Sequence, residues 1–462
     1  MKDRLEQINT GMALKAGLLE GEEISYAEVR NAIRNPETFT QKIEPTSVEI
    51  SPGVLLQSKT IELVDGNFSN MYDLSFSNKD EGLNTKIITR KAPIYSHKFF
   101  ATERGKQEKP VACINGSFFF LVDEQSEQQP DEIIFNLNIR DGKVHGLPAV
   151  DRAAMFVTKD GKIHATELKA LGTVQIGEKE ITWQGGEAMA HKKPSSTEIA
   201  VGDGRAILFN SACCTIEYED GNDKTSLRKL RKDLNKTPSV SGISDMVVKV
   251  NDKEELYVAA INQGGGTDFF DGSFILQMKD ADMEGIKVND LVDPKTIDGL
   301  KINDVQSAMT TGPMVSHFLE HDDHEMNHDY SVGNFPPFIA NARYARSVMY
   351  EDEDSNIHMV VFDAVPRSEK MKGLTPKEVA QNIPANTKWA VFLDGGQSSR
   401  ITFQSHESTT DDIKTDARGN RQYVRLHKND KKSQILGSAD ERFLWTNRGR
   451  PISSMIVVYR HK

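Results

Sequence analysis

The stretch HMVVFDAVPRSEKMKGLTPKEVAQNIPANTKWAVFLDGGQSS, residues 358–399, decides the fold class. Its two apolar runs, HMVVFDA (His358–Ala364) and KWAVFLDGG (Lys388–Gly396), predict buried β-strands. An aspartate stands near the end of each strand, Asp363 in the first and Asp394 in the second. The stretch therefore predicts two strands that each carry a carboxylate to the end of a sheet.

A short helix is predicted between these strands, in LTPKEVAQNI (Leu374–Ile383). Thr375 suits the N-cap, and Pro376 fits the first helical position. Glu378 follows the cap by three residues, which is the spacing of a capping box. The whole stretch is thus a strand–helix–strand unit.

Outward from this unit, from about Val48 onward, the chain consists of short β-branched runs separated by Gly, Asp and Asn turns. Asp-Gly pairs flanked by apolar alternation predict hairpins. These pairs are Asp141-Gly142, Asp160-Gly161 and Asp220-Gly221. We therefore expect an α+β, sheet-rich domain with few helices over residues 46–462.

The first part of the chain, residues 1–45, has a different pattern. Apolar residues recur there mostly at intervals of three to four, which predicts a short helical accessory segment before the main domain. No apolar run has the length of a signal peptide or a membrane span. From this we expect a soluble, cytoplasmic protein.

Charge and cysteine content exclude some classes of protein. A formal net charge of −11 and a pI of about 5.6 argue against binding to nucleic acid. The three cysteines, Cys113, Cys213 and Cys214, form no disulfide framework, because their number is odd and two of them are adjacent.

The motif VFLDGGQSS (Val391–Ser399) contains several candidate catalytic and substrate-binding residues. Asp394 stands at the mouth of a buried strand, and Gly395 and Gly396 let the backbone approach a ligand closely. Ser398 and Ser399 add hydroxyl groups. Taken alone, the motif is more typical of a tight Asp-Gly turn than of a catalytic site, and the motifs that accompany it favour the functional interpretation.

Two further motifs place polar groups after apolar strands. VACINGSFFF delivers Asn115 and Gly116, where the amide offers both donors and an acceptor, although Asn-Gly is also a hairpin signal. TTGPMV contributes Thr311 and Gly312 through a Gly-Pro turn. These four residues are candidate substrate-binding positions.

The segment NARYARSVMYEDED carries two arginines three positions apart, Arg343 and Arg346. In a strand they face opposite sides, so only one easily enters a given pocket, and we favour Arg343. Its guanidinium can clamp a phosphate in bidentate fashion. The alternative is a surface ion pair with the acidic run 351–354.

In family order, the segments ACINGSFFF, TTGPMV, NARYARSV, VVFDAVPR, GLTPKEVA, AVFLDGGQSS and GRPISSMIVVY resemble the phosphodiester glycosidase family over roughly Val48 to Tyr459. That family contains the lysosomal uncovering enzyme and bacterial proteins related to exopolysaccharides. The chain departs from the family pattern at Tyr344, Ala364 and Gln397, which leaves the identity of the substrate open. Relative to the family, residues 316–338 are an insertion.

This insertion contains four histidines, His317, His321, His324 and His328. Interleaved aspartates make metal binding an alternative, but the composition favours a polar lid, and we predict no metal site. The resemblance implies no required cofactor. A divalent cation stays an open alternative.

The resemblance implies a hydrolase that acts on a sugar 1-phosphodiester, either a small sugar phosphate or a glycoconjugate. Asp394 and Asp363 would be the carboxylates, and Arg343 would stabilise the phosphate charge. Two other readings remain. The protein is either a binder of carbohydrate or phosphate without activity, or a delivered effector or phage protein that acts on a host glycoconjugate or nucleotide sugar.

Overall fold

The computed structural model describes residues 40, 42–94, 96, 99–100, 108–117, 119–120, 133–134, 136–186, 205–213, 216–218, 228–230, 235–320, 342–365, 368–404, 424–425, 433–436 and 452–460. The predicted N-terminal helical segment lies almost entirely outside these residues. So do Asp220-Gly221 and most of the predicted insertion.

Strands dominate the described residues. In chain order they are β1 (Thr46–Ser51), β2 (Val54–Glu62), β3 (Phe68–Ser77), β4 (Leu83–Ile94), β5 (Lys109–Asn115), β6 (Phe119–Phe120), β7 (Ile133–Ile134), β8 (Asn138–Arg140), β9 (Lys143–Gly146), β10 (Arg152–Thr158), β11 (Ile163–Leu168), β12 (Leu171–Ile176), β13 (Lys179–Gly185), β14 (Arg205–Phe209), β15 (Ile216–Tyr218), β16 (Arg228–Leu230), β17 (Ser239–Val250), β18 (Leu256–Gly265), β19 (Phe274–Lys279), β20 (Val292–Ile297), β21 (Leu300–Lys301), β22 (Val305–Thr310), β23 (Arg346–Glu351), β24 (Asn356–Phe362), β25 (Trp389–Phe392), β26 (Ile401–Gln404), β27 (Val424–Arg425), β28 (Ser433–Leu436) and β29 (Ile452–Arg460).

The helical elements are short. In the described part of the chain they include the α-helices α1 (His317–Glu320) and α2 (Pro376–Asn382) and the 3-10 turns Ser211–Cys213, Asp280–Met283, Ile302–Asp304 and Gly396–Ser398. In the described part of the chain, no helix has the length and apolar character needed to cross a membrane. The expectation of a sheet-rich domain with few helices is confirmed.

Four sheets contain most of the strands. Sheet I has the order β1-β2-β3-β24-β23-β25, and sheet II has the order β27-β28-β26-β5-β29-β4. Sheet III runs β11-β10-β22-β8-β9, and sheet IV runs β18-β17-β19-β14-β13-β12-β20-β21. Two ribbons, β6-β7 and β15-β16, complete the set in the described residues.

Local signals in the sequence account for several of these elements. β8 and β9 form a hairpin in which Arg140 pairs with Lys143, and both turn residues have positive φ, 48° at Asp141 and 76° at Gly142. This is the backbone of a two-residue primed turn, for which Asp-Gly is well suited. The hairpin of β10 and β11 likewise turns through Gly161, with φ 81°. Two of the three predicted hairpins are confirmed, and the third, at Asp220-Gly221, lies outside the described residues.

The strand–helix–strand unit is also confirmed. Thr375 and Glu378 form the predicted capping box at the start of α2, with Thr375 Oγ1 accepting from Glu378 N at 3.2 Å. The two flanking strands, β24 and β25, are not neighbours. β23 lies between them and is antiparallel to both.

Alternation along the strands of sheet I builds two cores. In β23, Met349 packs into a core shared by sheets I, II and III. Val348 and Tyr350 face the other way and pack against α1 and α2, where Phe318 and Val379 are buried. Sheet I therefore lies between the two helices on one face and sheets II and III on the other.

Candidate active site

The segment between β25 and β26, residues 393–400, carries the chain from sheet I to sheet II and is called the junction segment below. Its first half stays beside β23, since Leu393 N donates to the Ser347 carbonyl at 2.9 Å and Gly396 N donates to the Ala345 carbonyl at 2.7 Å. Asp394 N instead donates to the carbonyl of Gly116, after β5, at 3.0 Å. Asp394 thus lies where the two sheets meet, and it is partly exposed.

Asn115, the last residue of β5, holds this junction together. Its Nδ2 donates to the Asp394 carbonyl at 2.6 Å. Its Oδ1 accepts from Ser347 Oγ at 2.7 Å and from Arg400 N at 3.1 Å. The side chain is only 1% exposed. The amide of Asn115 therefore links β23, β5 and both ends of the junction segment.

Gly116 and Gly395 each allow a close approach of backbone, Gly116 to Ser454 in β29 and Gly395 to Ala345 just before β23. A Cβ on Gly116 would lie 2.6 Å from Ser454 Oγ and 2.9 Å from the Ser454 carbonyl carbon, so no side chain fits there. A Cβ on Gly395 would lie 3.2 Å from the Ala345 carbonyl oxygen. The sequence predicts that Gly395 and Gly396 let the backbone approach a ligand; in the structure the close neighbour of Gly395 is the protein's own backbone at Ala345, and a Cβ on Gly396 would meet nothing within 4 Å among the described residues.

Asp363 follows β24 at the same end of sheet I. Its N donates to the Asn70 carbonyl at 2.8 Å, and its own carbonyl accepts from Ser69 Oγ at 2.8 Å. Burial first, and then the negative charge of Asp363, raise the pKa of Tyr72 well above its usual value. Because β23 separates β24 from β25, the backbones of Asp363 and Asp394 are about two strand spacings apart, roughly 10 Å.

The two arginines have different surroundings. Arg343 Nε and Nη2 contact Glu378, with Nη2 at 2.5 Å from Oε1, and Nη1 contacts Asp65. The hydrogen bonds to Glu378 raise the pKa of Arg343 above its usual value. The predicted phosphate clamp is thus occupied by two carboxylates of the protein, one of them the capping-box glutamate.

Arg346 begins β23, between the strands that lead to Asp363 and Asp394. It is 5% exposed, and its guanidinium donates to the carbonyls of Leu374 at 3.2 Å and Ala342 at 2.7 Å. A Cβ on Gly395 would lie 4.0 Å from Arg346 Nη1, so the arginine passes directly beside the junction segment. Burial lowers the pKa of Arg346 to about 10, which leaves it protonated at neutral pH.

The far end of the junction segment is buried and polar. Arg400 is 0% exposed, and its Nε donates to the Ser398 carbonyl at 3.3 Å. The hydroxyls of Ser398, Ser399 and Ser117 are also buried and have no hydrogen-bond partner. The sequence predicts Ser398 and Ser399 as binding residues, whereas its motifs do not single out Ser117 and Arg400 and favour Arg343 over Arg346.

Sheet III contributes the remaining predicted residues. Thr311 N donates to the Ala153 carbonyl at 2.9 Å, and Gly312 N donates to the Phe392 carbonyl at 2.8 Å. Thr311 is fully buried. Thr311 therefore stays bonded to β10 within sheet III, and Gly312 attaches the end of β22 to β25, next to the junction segment.

No group of three or more potential metal ligands occurs among the described residues. His317, the first histidine of the predicted insertion, lies in α1 and pairs through Nε2 with Glu167 Oε1 at 2.8 Å. The other three histidines of the insertion lie outside the described residues.

Two carboxylates and a buried arginine at one sheet end are groups that a glycosidase-type hydrolase uses on a charged substrate. The family comparison agrees with this class. Residues 245–459 match the profile of the phosphodiester glycosidase family, which confirms the resemblance predicted from the sequence. The matched range includes Arg346, Asp363 and Asp394, but not Asn115.

Among solved structures, the fold is similar to that of a hypothetical protein from Synechocystis, with a TM-score of 0.51 and 13% identity. That match covers 90% of this chain and 64% of the cyanobacterial one, so the chain spans less than two thirds of that structure. A putative exported protein from Burkholderia pseudomallei matches with a TM-score of 0.45 and 15% identity, covering 85% of this chain and 74% of that one.

The catalytic domain of zebrafish N-acetylglucosamine-1-phosphodiester α-N-acetylglucosaminidase matches with a TM-score of 0.39 and 12% identity. The match covers 92% of this chain and 89% of the zebrafish one. None of the curated proteins searched matches the sequence.

Proposed function

We propose that the protein hydrolyses the glycosidic bond of a sugar 1-phosphodiester and releases a free sugar and a phosphomonoester. One observation carries the proposal. Asp363 and Asp394 follow the strands on either side of β23, and β23 begins with the buried Arg346. Two acids and a cation are thus gathered at one sheet end, within the residues that match the family.

The charges fit the chemistry of this bond. Its cleavage passes through an oxocarbenium-like transition state, which a carboxylate stabilises. The departing phosphate has a second pKa of about 6, so it needs charge stabilisation more than protonation. A buried guanidinium provides that stabilisation more effectively than an exposed one, because water screens it less.

We assign Asp394 as the base that activates water, because it is the more exposed of the two carboxylates. Asp363, 8% exposed, would stabilise the developing positive charge on the sugar. The backbones of the two aspartates are roughly 10 Å apart, just after the strands that flank β23.

Two predicted residues take different roles in this scheme. We assign the phosphate charge to Arg346 in place of Arg343, whose guanidinium is engaged by Glu378 and Asp65. We assign Asn115 as a positioning residue, since its amide contacts the Asp394 carbonyl and the junction segment. The family match at residues 245–459 supports the reaction class, and the identity of the sugar is left to experiment.

The test is the Asp394→Asn variant, incubated with a panel of sugar 1-phosphodiesters and UDP-sugars, with and without chelator, and followed by mass spectrometry. We expect hydrolysis to fall by at least about a hundredfold, the scale of losing a general base. Asp252→Asn is the matched control, because Asp252 lies exposed in the β17–β18 turn. Turnover by Asp394→Asn at the wild-type rate would overturn the assignment. Binding of the panel without turnover by the wild type would favour a non-catalytic protein instead.

A further inference from the structure

Three buried hydroxyls near Asp394 have no hydrogen-bond partner. They belong to Ser117, Ser398 and Ser399, which are 3%, 0% and 0% exposed. Leaving a buried polar group unsatisfied costs about 1–3 kcal/mol. Three such groups on two short segments call for a ligand or ordered water that satisfies them.

These hydroxyls lie on segments that are hydrogen-bonded to each other. Ser117 directly follows Gly116, whose carbonyl accepts from Asp394 N at 3.0 Å. Ser398 and Ser399 directly precede Arg400, whose N donates to Asn115 Oδ1 at 3.1 Å. These bonds fix the backbone on both sides, so the segments that carry the three hydroxyls are preorganised at the junction of sheets I and II.

Two buried arginines bring positive charge to this region, next to the partly exposed Asp394. Arg400 is fully buried in the junction segment, and Arg346 passes beside Gly395 of the same segment. Burial raises the pKa of the Cys113 thiol to about 12, and the positive charge of Arg400 acts in the opposite direction. The charge of Arg400 is therefore felt by neighbouring groups. Hydroxyl donors together with two buried guanidinium groups suit a ligand rich in acceptor oxygens, and a phosphoryl group has three.

We propose that Ser117, Ser398 and Ser399, together with Arg400, form a phosphoryl-binding subsite. This inference rests on the proposed function in one respect, namely that the substrate brings a phosphoryl group to this junction. It adds that the phosphoryl group is the part of the substrate held most deeply. The subsite therefore also binds the phosphomonoester product and inorganic phosphate, and both inhibit competitively.

The experiment measures binding of inorganic phosphate to the full-length protein by isothermal titration calorimetry, at constant ionic strength in chloride. Single Ser→Ala variants at 117, 398 and 399 and the triple variant are compared with the wild type. We expect one phosphate per chain and about tenfold weaker binding for each hydroxyl removed, the worth of a hydrogen bond to a charged group. Equal phosphate affinity in the wild type and the triple variant, or no binding by the wild type, would overturn the subsite.

Thermal unfolding provides a second readout that a purely structural role would not give. Removing an unpartnered buried hydroxyl leaves Tm unchanged or raises it, because nothing loses its partner. Ser244→Ala is the matched control, since Ser244 is 3% exposed on β17 and its Oγ donates to Asp280 Oδ1 at 2.6 Å. We expect this control to lower Tm and to keep phosphate affinity. Lowered Tm in the three site variants, with phosphate affinity intact, would show that the hydroxyls are structural.

The outcome is independent of turnover. If the triple variant no longer binds phosphate and the wild type hydrolyses no sugar phosphodiester, the proposed reaction is wrong and the subsite is supported. If hydrolysis is observed and phosphate does not compete with the substrate, the subsite fails and the proposed reaction stands.

Discussion

Replacing Asn115 by alanine removes the side chain that links β5, β23 and the junction segment. Three bonds are lost, and their partners are the Asp394 carbonyl, the Ser347 hydroxyl and the Arg400 N–H. Each buried group left without a partner costs about 1–3 kcal/mol, and water that enters the cavity recovers part of that cost. We therefore expect Asn115→Ala to lower the free energy of unfolding by about 3–5 kcal/mol.

Urea unfolding followed by tryptophan fluorescence measures this loss, and Asn210→Ala is the matched control. Asn210 is 2% exposed and makes two bonds, from Nδ2 to the Leu147 carbonyl at 2.8 Å and from Ala212 N to Oδ1 at 2.8 Å. We expect the control to lose about 2–4 kcal/mol.

Activity separates the two variants. Asn210→Ala should keep the kcat of the fraction that stays folded, whereas Asn115→Ala should lose kcat with little change in KM, because Asp394 is no longer held in place. If Asn115→Ala unfolds at the wild-type urea concentration, the linking role is refuted. If KM rises while kcat is unchanged, the amide binds substrate, as the sequence first suggested.

Two further predictions concern charged groups. Arg346→Gln should abolish hydrolysis while Arg343→Gln keeps most of it and chiefly lowers Tm, as measured by initial rates and thermal unfolding; the reverse pattern would restore Arg343 to the site. Burial lowers the pKa of His358, but its contacts with Asp73, at 3.0 Å from Nδ1, and with Asp352 outweigh this, so the pKa is raised in the folded protein. The proton thus stabilises the folded state fully below the unfolded pKa of about 6.5, and this stability is lost as pH rises through the folded value. Urea titrations at several pH values should therefore show that the wild type exceeds His358→Gln in free energy of unfolding by less and less above pH 6.5. A difference that stays constant with pH would contradict this prediction.

Structural features that depend only on residues close together in the sequence could be predicted. The Asp141-Gly142 turn needs positive φ at both positions, and the Thr375 capping box needs only three residues of spacing. Strand identity followed from the apolar runs on either side of α2. The insertion of β23 between β24 and β25 is a long-range pairing, and the runs themselves contain no signal for it.

The choice between the arginines shows where sequence reasoning stopped. Their spacing of three correctly indicated that Arg343 and Arg346 have different surroundings, but not which one lies at the junction segment. That depends on Glu378 and Asp65, far from both arginines in sequence, which together engage Arg343. Glu378 was recognised only as a capping residue. Its second contact requires the folded packing of α2 against sheet I.

Hydrogen bonds to β5 of sheet II place the candidate site at the junction of sheets I and II. The Asp394 backbone is fixed by Gly116 on one side and by Asn115 on the other, and both belong to β5 or directly follow it. A carboxylate held by two rigid sheets keeps its geometry better than one at the tip of a loop. Contacts that stabilise the junction therefore also place Asp394, so stability and activity should fall together at Asn115. At Ser398 they should separate, because its hydroxyl has no partner in the folded protein and its burial costs stability that only a ligand or water recovers.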